Sequence, residues 1–239
     1  MGGREAQLTA VDDPTTGDSH DESVESSRPA QGDGPASAAR LEAAGVLRRL
    51  GHAIVAHEVG DEMFESITAD VRGLLGAVEA TPDRIRAPLD MVHAVFVVPP
   101  TDGRGRTNFP DDIVIGKANP LGMAADITRE GNVAVLRTTL GPAFEGAPGR
   151  AHGGAVAALM DEVMGFVLSI NATPAYTGRL TITYRAPTPL GVEVEMRAKL
   201  RSHHGRKLHI EADAHHGTTL IAHGEGLFIT VDPESFAAG

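Results

Sequence analysis

The stretch RAHGGAVAALMDEVMG, residues 150–165, reads as a hydrophobic helix with two irregularities. It opens on a His-Gly-Gly triplet, and it sets Asp161 and Glu162 where an apolar stripe should run. Extended to about Gly153–Ile170 the helix is apolar nearly all round, so other structure has to wrap it. The residues that follow supply the wrapping. Over 177–185, Leu180, Ile182 and Tyr184 alternate with Arg179, Thr181, Thr183 and Arg185. The same alternation recurs over 192–201 and 207–215, and a last segment, 219–231, carries Leu220, Ala222, Phe228 and Ile229. A period of two with short turns marks antiparallel strands that keep one face wet. Upstream, MAADITREGNVAVLRTTL (123–140) reads as two more strands joined by a Glu130-Gly131-Asn132 turn. The expected class is α+β, an antiparallel sheet wrapped around one central helix.

Three segments are expected along the chain. Residues 1–38 are Gly, Ser, Asp, Pro and Ala with hardly any large apolar side chains, so they read as a disordered tail. Residues 39–117 read as a helical extension and a loop. In its first helix Leu47, Leu50 and Ile54 share a face, and in its second Met63, Ile67, Val71, Leu74 and Val78 do, with Asp61 as cap and Pro82 as stop. Both helices are amphipathic and need something to pack on: the main domain, a partner subunit or each other. Residues 98–120 are rich in Pro and Gly, as a long connecting loop would be. Residues 118–232 hold the sheet and its helix.

Composition narrows the function. Of the 239 residues 41% are hydrophobic and 22% charged, ordinary values for a globular protein. A formal net charge of −11 argues against nucleic-acid binding but leaves room for a local basic patch around a small polyanion. Cysteine is absent, which excludes disulfides, a thiolate nucleophile and a cysteine zinc site. No apolar run is read as approaching a membrane span, and the acidic start lacks a leader pattern, so the expected location is cytoplasmic. His203, His204, His209, His215, His216 and His223 crowd the last strands. Surface decoration is the reading taken for them, and no metal and no cofactor are expected.

The helix start carries the chemistry. The first N–H groups of a helix have no intrahelical partner and lie at the positive end of its dipole, so they suit a carbonyl oxygen that gains negative charge. Asp161 lies about two and a half turns beyond His152, where an ionised carboxylate is costly unless paired or set in a solvated cleft. Taken singly each feature has a plain alternative. Gly153-Gly154 is also a common helix entry, Asp161 and Glu162 can form a polar edge, and His152 can be a cap.

Taken together and in this order, HGGAVAALMDEVMG, TGRLTITYRAPTPLG and GRKLHIEADA resemble the acyl-CoA thioesterases of the hotdog fold. The branch is that of the phenylacetate-pathway thioesterases and the related vertebrate thioesterase superfamily members. The resemblance covers about residues 118–232 and includes ANPLG (118–122) before the first strand. It implies a homodimer or dimer of dimers with shared active sites and an acyl-CoA substrate hydrolysed to carboxylic acid and CoA. It implies Asp161 as general base or nucleophile, Gly153 and Gly154 as the amides that polarise the carbonyl, and His152 as the residue that opens the motif. Thr177 is implied as a hydroxyl delivered by the partner subunit. Thr183, Arg185, Arg206 and Lys207 are implied along the CoA groove, where cations suit phosphates, and Arg150 is a further candidate. Glu162 departs from the pattern, which has a small or neutral residue there. The alternatives are an acyl-CoA-binding hotdog module without catalysis, which would lack the acidic residue, and a hotdog dehydratase, which would need a histidine as its main acid and base.

Overall fold

A computed structural model describes residues 36–84, 96, 98–105 and 109–232. Most of the expected tail therefore lies outside the described residues. Two 19-residue helices come first, α1 (Ala38–Ala56) and α2 (Asp61–Glu79). Ser37 caps α1 by accepting the Arg40 N–H, while Gly60 caps α2 without a side-chain bond and leaves Asp61 as its first helical residue. After a run of turns the chain forms β1 (Asp126–Glu130) and β2 (Val133–Thr139), paired across the expected turn. A 3₁₀ turn at Pro142–Phe144 leads into a small hairpin, β3 (Glu145–Ala147) and β4 (Arg150–Ala151). The central helix α3 spans Gly153–Ile170. Four long strands end the described chain: β5 (Ala175–Tyr184), β6 (Glu193–His204), β7 (Lys207–His216) and β8 (Thr219–Thr230).

Six of the strands make one antiparallel sheet in the order β1-β2-β6-β7-β8-β5, apart from the β3–β4 hairpin. The expected architecture is the observed one. Helix α3 lies across the inner face, burying Val156, Leu159, Met160, Val163, Met164, Phe166 and Val167 against Leu136, Met196, Ile210, Ala214 and Phe228 of the strands. Close approach depends on two glycines of β8. A Cβ at Gly224 would stand 2.7 Å from the methyl groups of Met160 and Met164, and one at Gly226 would meet the Met164 sulfur at 2.7 Å. The flexible methionines fill the hollow that the missing side chains leave. One expectation changes here: α3 is long and apolar enough to cross a membrane by composition, but its apolar surface is spent on the sheet.

The crossover after α3 sends β5 past the whole sheet to its far edge, beside β8 alone. Thr177, Gly178, Arg179, Thr181, Thr183 and Tyr184 of that strand are all exposed. The two N-terminal helices behave differently from one another. Helix α1 is tied to the domain by Arg48, which donates to the carbonyls of Lys117 (3.0 Å) and Asn119 (2.7 Å), and by an ion pair between Arg40 and Asp111. Helix α2 buries no residue, and Met63, Leu74 and Val78 are more than half exposed.

Candidate active site

His152 ends the β3–β4 hairpin and caps α3. Its backbone N–H donates to the Phe144 carbonyl (2.8 Å), and its ring Nδ1 accepts the Gly154 N–H (2.9 Å). One of the two amides expected to polarise a carbonyl is thus engaged by the cap. The Gly153 N–H is the first of the helix, where no intrahelical acceptor exists, and none is found among the described residues.

Tyr184, at the end of β5, donates its hydroxyl to the Gly153 carbonyl at 2.7 Å. A side chain at 153 would stand 3.3 Å from that hydroxyl, so glycine is what lets the ring lie against the helix start. Partial burial raises the Tyr184 pKa above its ordinary value, which keeps the phenol a donor. In the sequence Tyr184 continues the Leu180, Ile182 series, which hides its polar role. A groove of about 450 Å³ opens beside it, lined by Arg150, His152, Gly153, Val156, Tyr184 and Arg185 among others.

The second cluster lies farther down the helix. Asp161 is half-buried, and its Oδ1 accepts the hydroxyl of Thr177 at 2.9 Å. Thr177 belongs to the same chain as this Asp161, whereas the expectation set a partner's hydroxyl beside it. The strand after α3 turns back along the helix and returns Thr177 to its own Asp161. Glu162 is half-buried beside it.

The residues expected along a CoA groove separate into three places. Arg185 joins Arg150 at the helix start. Thr183 alternates to the outer face of β5, opposite His223 of β8, and does not line the groove. Arg206 and Lys207 sit in the β6–β7 turn, where the Arg206 guanidinium donates to the Thr230 carbonyl (3.2 and 3.3 Å) and Lys207 pairs with Ile229. Thr230 is in register with Ala175, so these two cations mark the start of β5 and Arg185 its end, about 30 Å apart for a ten-residue strand. Among the described residues no group of three or more His, Asp or Glu side chains has a metal-holding arrangement. His223 instead contacts Asp213 (2.7 Å) and His216 the Glu193 carbonyl (3.0 Å).

Residues 148–222 match the thioesterase superfamily. The chain is 35% identical over 96 residues to the acyl-coenzyme A thioesterase THEM4 of Bos taurus, covering 39% of each protein. It is 37% identical over 93 residues to that of Mus musculus, covering 38% of this chain and 40% of the relative. The match thus spans about two fifths of the length of these relatives. With the Xenopus laevis THEM4 the match is 28% over 164 residues, covering 66% of this chain and 72% of the relative. A crystal structure of a thioesterase superfamily protein superimposes with a TM-score of 0.70 at 24% identity, over 83% of this chain and 94% of the other. That coverage places the hotdog fold on the described chain.

Proposed function

We propose that this chain, which carries a hotdog domain of the thioesterase superfamily, hydrolyses acyl-CoA thioesters to the carboxylic acid and free CoA at sites shared by two copies. The observation that carries the reading is the Asp161–Thr177 hydrogen bond within one chain. Asp161 and Gly153 are on the same helix, and their separation amounts to about 12 Å of helical rise. A carbonyl held by one amide and attacked by water from one carboxylate needs both within hydrogen-bond reach. A single copy keeps these groups too far apart. Two copies bring them together if the helix start of one faces the Asp161–Thr177 pair of the other.

The edge strand supports that arrangement, since an exposed edge such as β5 offers unpaired backbone groups to a second strand. Antiparallel pairing of β5 with the partner's β5 about Leu180 brings the Thr177 end of each to the Tyr184 end of the other. The divided cations then converge, Arg150 and Arg185 from one copy and Arg206 and Lys207 from the other, which suits the phosphates of CoA.

In this site the Gly153 N–H holds the thioester oxygen while Asp161 of the other copy takes a proton from water oriented by Thr177. The hydroxide oxygen bonds to the carbonyl carbon, the C–S bond breaks, and the leaving thiolate takes the proton back from the Asp161 carboxyl. His152 acts as the cap that fixes the helix start.

Rates of free CoA release over a panel of aliphatic and aromatic acyl-CoAs test the activity. Light scattering on the same samples tests the pairing. Release from at least one substrate class by a dimer or tetramer is expected. No release across the panel overturns the reaction, and an active monomer overturns the shared site.

A further inference from the structure

Beyond the residues that match the superfamily, α1 reaches the helix start through one side chain. The His52 ring Nδ1 accepts the N–H of Ala143 at 3.0 Å. Its face covers Gly141, where a Cβ would stand 2.7 Å from the ring, and its plane meets Phe144 at 65° with centroids 5.5 Å apart. The Phe144 carbonyl accepts the His152 N–H (2.8 Å), and His152 caps α3 through Gly154 (2.9 Å). An unbroken series of contacts thus runs from α1 through the 3₁₀ turn to the Gly154 amide at the helix start. Arg48 anchors α1 separately at Lys117 and Asn119, so the helix has a fixed base from which His52 holds the turn.

We propose that His52 is a positioning residue for the reaction, which sets the helix start through Ala143 and Phe144 by offering a hydrogen-bond acceptor. The proposal rests on the thioesterase reading for its kinetic consequence and on geometry alone for its structural one. Small displacements of a preorganised donor are costly in rate, because the donor must meet the oxygen only as charge develops. A neutral imidazole is required, since the protonated ring offers no acceptor. Burial, helped by the Arg48 charge, holds the His52 pKa below its usual value and so favours the neutral form.

The test uses the full chain with His52→Phe and His52→Asn. Phenylalanine keeps a ring against Gly141 and Phe144 but has no acceptor, whereas the asparagine Oδ1 replaces the Nδ1 acceptor and loses the ring. In His52→Phe kcat should fall about tenfold with KM changed less than twofold, and His52→Asn should recover most of it. Amide hydrogen exchange at Gly154 should quicken in His52→Phe and stay near wild type in His52→Asn, whether or not a substrate is known. Wild-type kcat and exchange in His52→Phe overturn the proposal. Equal losses in both variants, at an unchanged melting temperature, assign the effect to ring packing and overturn the acceptor role. If no acyl-CoA is hydrolysed by the wild type, the thioesterase reading falls and the exchange comparison alone decides the coupling.

Discussion

The two ends of β5 carry different chemistry. At its C-terminal end Tyr184 holds the Gly153 carbonyl beside a groove with Arg150 and Arg185, an environment built from a helix start and cations. At its N-terminal end Thr177 holds Asp161, near the turn of Arg206 and Lys207, and the group on offer is a carboxylate. In the proposed reaction one end stabilises negative charge and the other withdraws a proton. Each half is chemically incomplete, and the strand between them lies open along the sheet edge. On the proposed reading, the contrast makes the unit of function wider than the unit of folding.

The largest effects should come from silencing either half. Asp161→Asn keeps the shape and removes the base, so kcat should fall on the order of a hundredfold or more while acyl-CoA binding persists. Glu162→Gln should fall far less, and a collapse confined to that variant would assign the wrong carboxylate. Gly153→Pro attacks the other half. Proline is well tolerated at the first helical position, and His152 already has the extended backbone a following proline requires (φ −63°, ψ 136°). The change removes one N–H and also sets a Cβ 3.3 Å from the Tyr184 hydroxyl, so kcat should drop about a hundredfold or more with the helix retained by circular dichroism.

Mixing the two dead variants sharpens the comparison most. After dissociation and random reassociation, half of the dimers are mixed and each holds one intact site, so about a quarter of wild-type activity should return. No recovery in samples shown by mass spectrometry to contain mixed dimers would mean that both halves act within one copy. Thr177→Ala should cost less, about tenfold in kcat, because water keeps its base and loses only an orienting partner.

Stability offers smaller effects. Unfolding restores the ordinary His52 pKa of about 6.5, so the unfolded chain binds more protons than the folded one below that pH. The folded state therefore loses stability as pH falls past the unfolded value, and the loss levels off below the folded one. Melting temperatures from pH 8 to pH 5 should fall more steeply in the wild type than in His52→Asn, and parallel curves would contradict the assignment. The smallest change is local to the end of α3, where Ala172 has a φ of 47°. Glycine at 172 should stabilise by about 0.5–1 kcal/mol, read as a small rise in melting temperature.

Much of this arrangement is written in periodicity. The turn at Glu130–Asn132, the limits of α3 and the alternation in β6 and β7 are visible because each element has one apolar face long enough to show its period. The 3₁₀ turn and the β3–β4 hairpin are three residues or fewer per element and have no period to show. Asp161 stands out by charge on an apolar helix, whereas Tyr184 is masked by continuing an inward series. His52 is hidden for another reason. Its partners lie about ninety residues away and are a backbone N–H, a glycine and the Phe144 ring, none of which carries a charge or spacing that would point to a histidine. The apolar spacing of α1 and α2 looks alike, yet polar anchors at Arg40, Arg48 and His52 decide which one docks.

The open edge of β5 also makes concentration a variable of the proposed enzyme. An acyl-CoA that touches the helix start of one copy and the Asp161 of another binds the pair and neither copy alone. Substrate then draws copies together by mass action, and by reciprocity the pairing raises the affinity for substrate. Specific activity should fall on dilution and be restored by saturating acyl-CoA, so that the amount of protein and the amount of substrate act as mutual effectors.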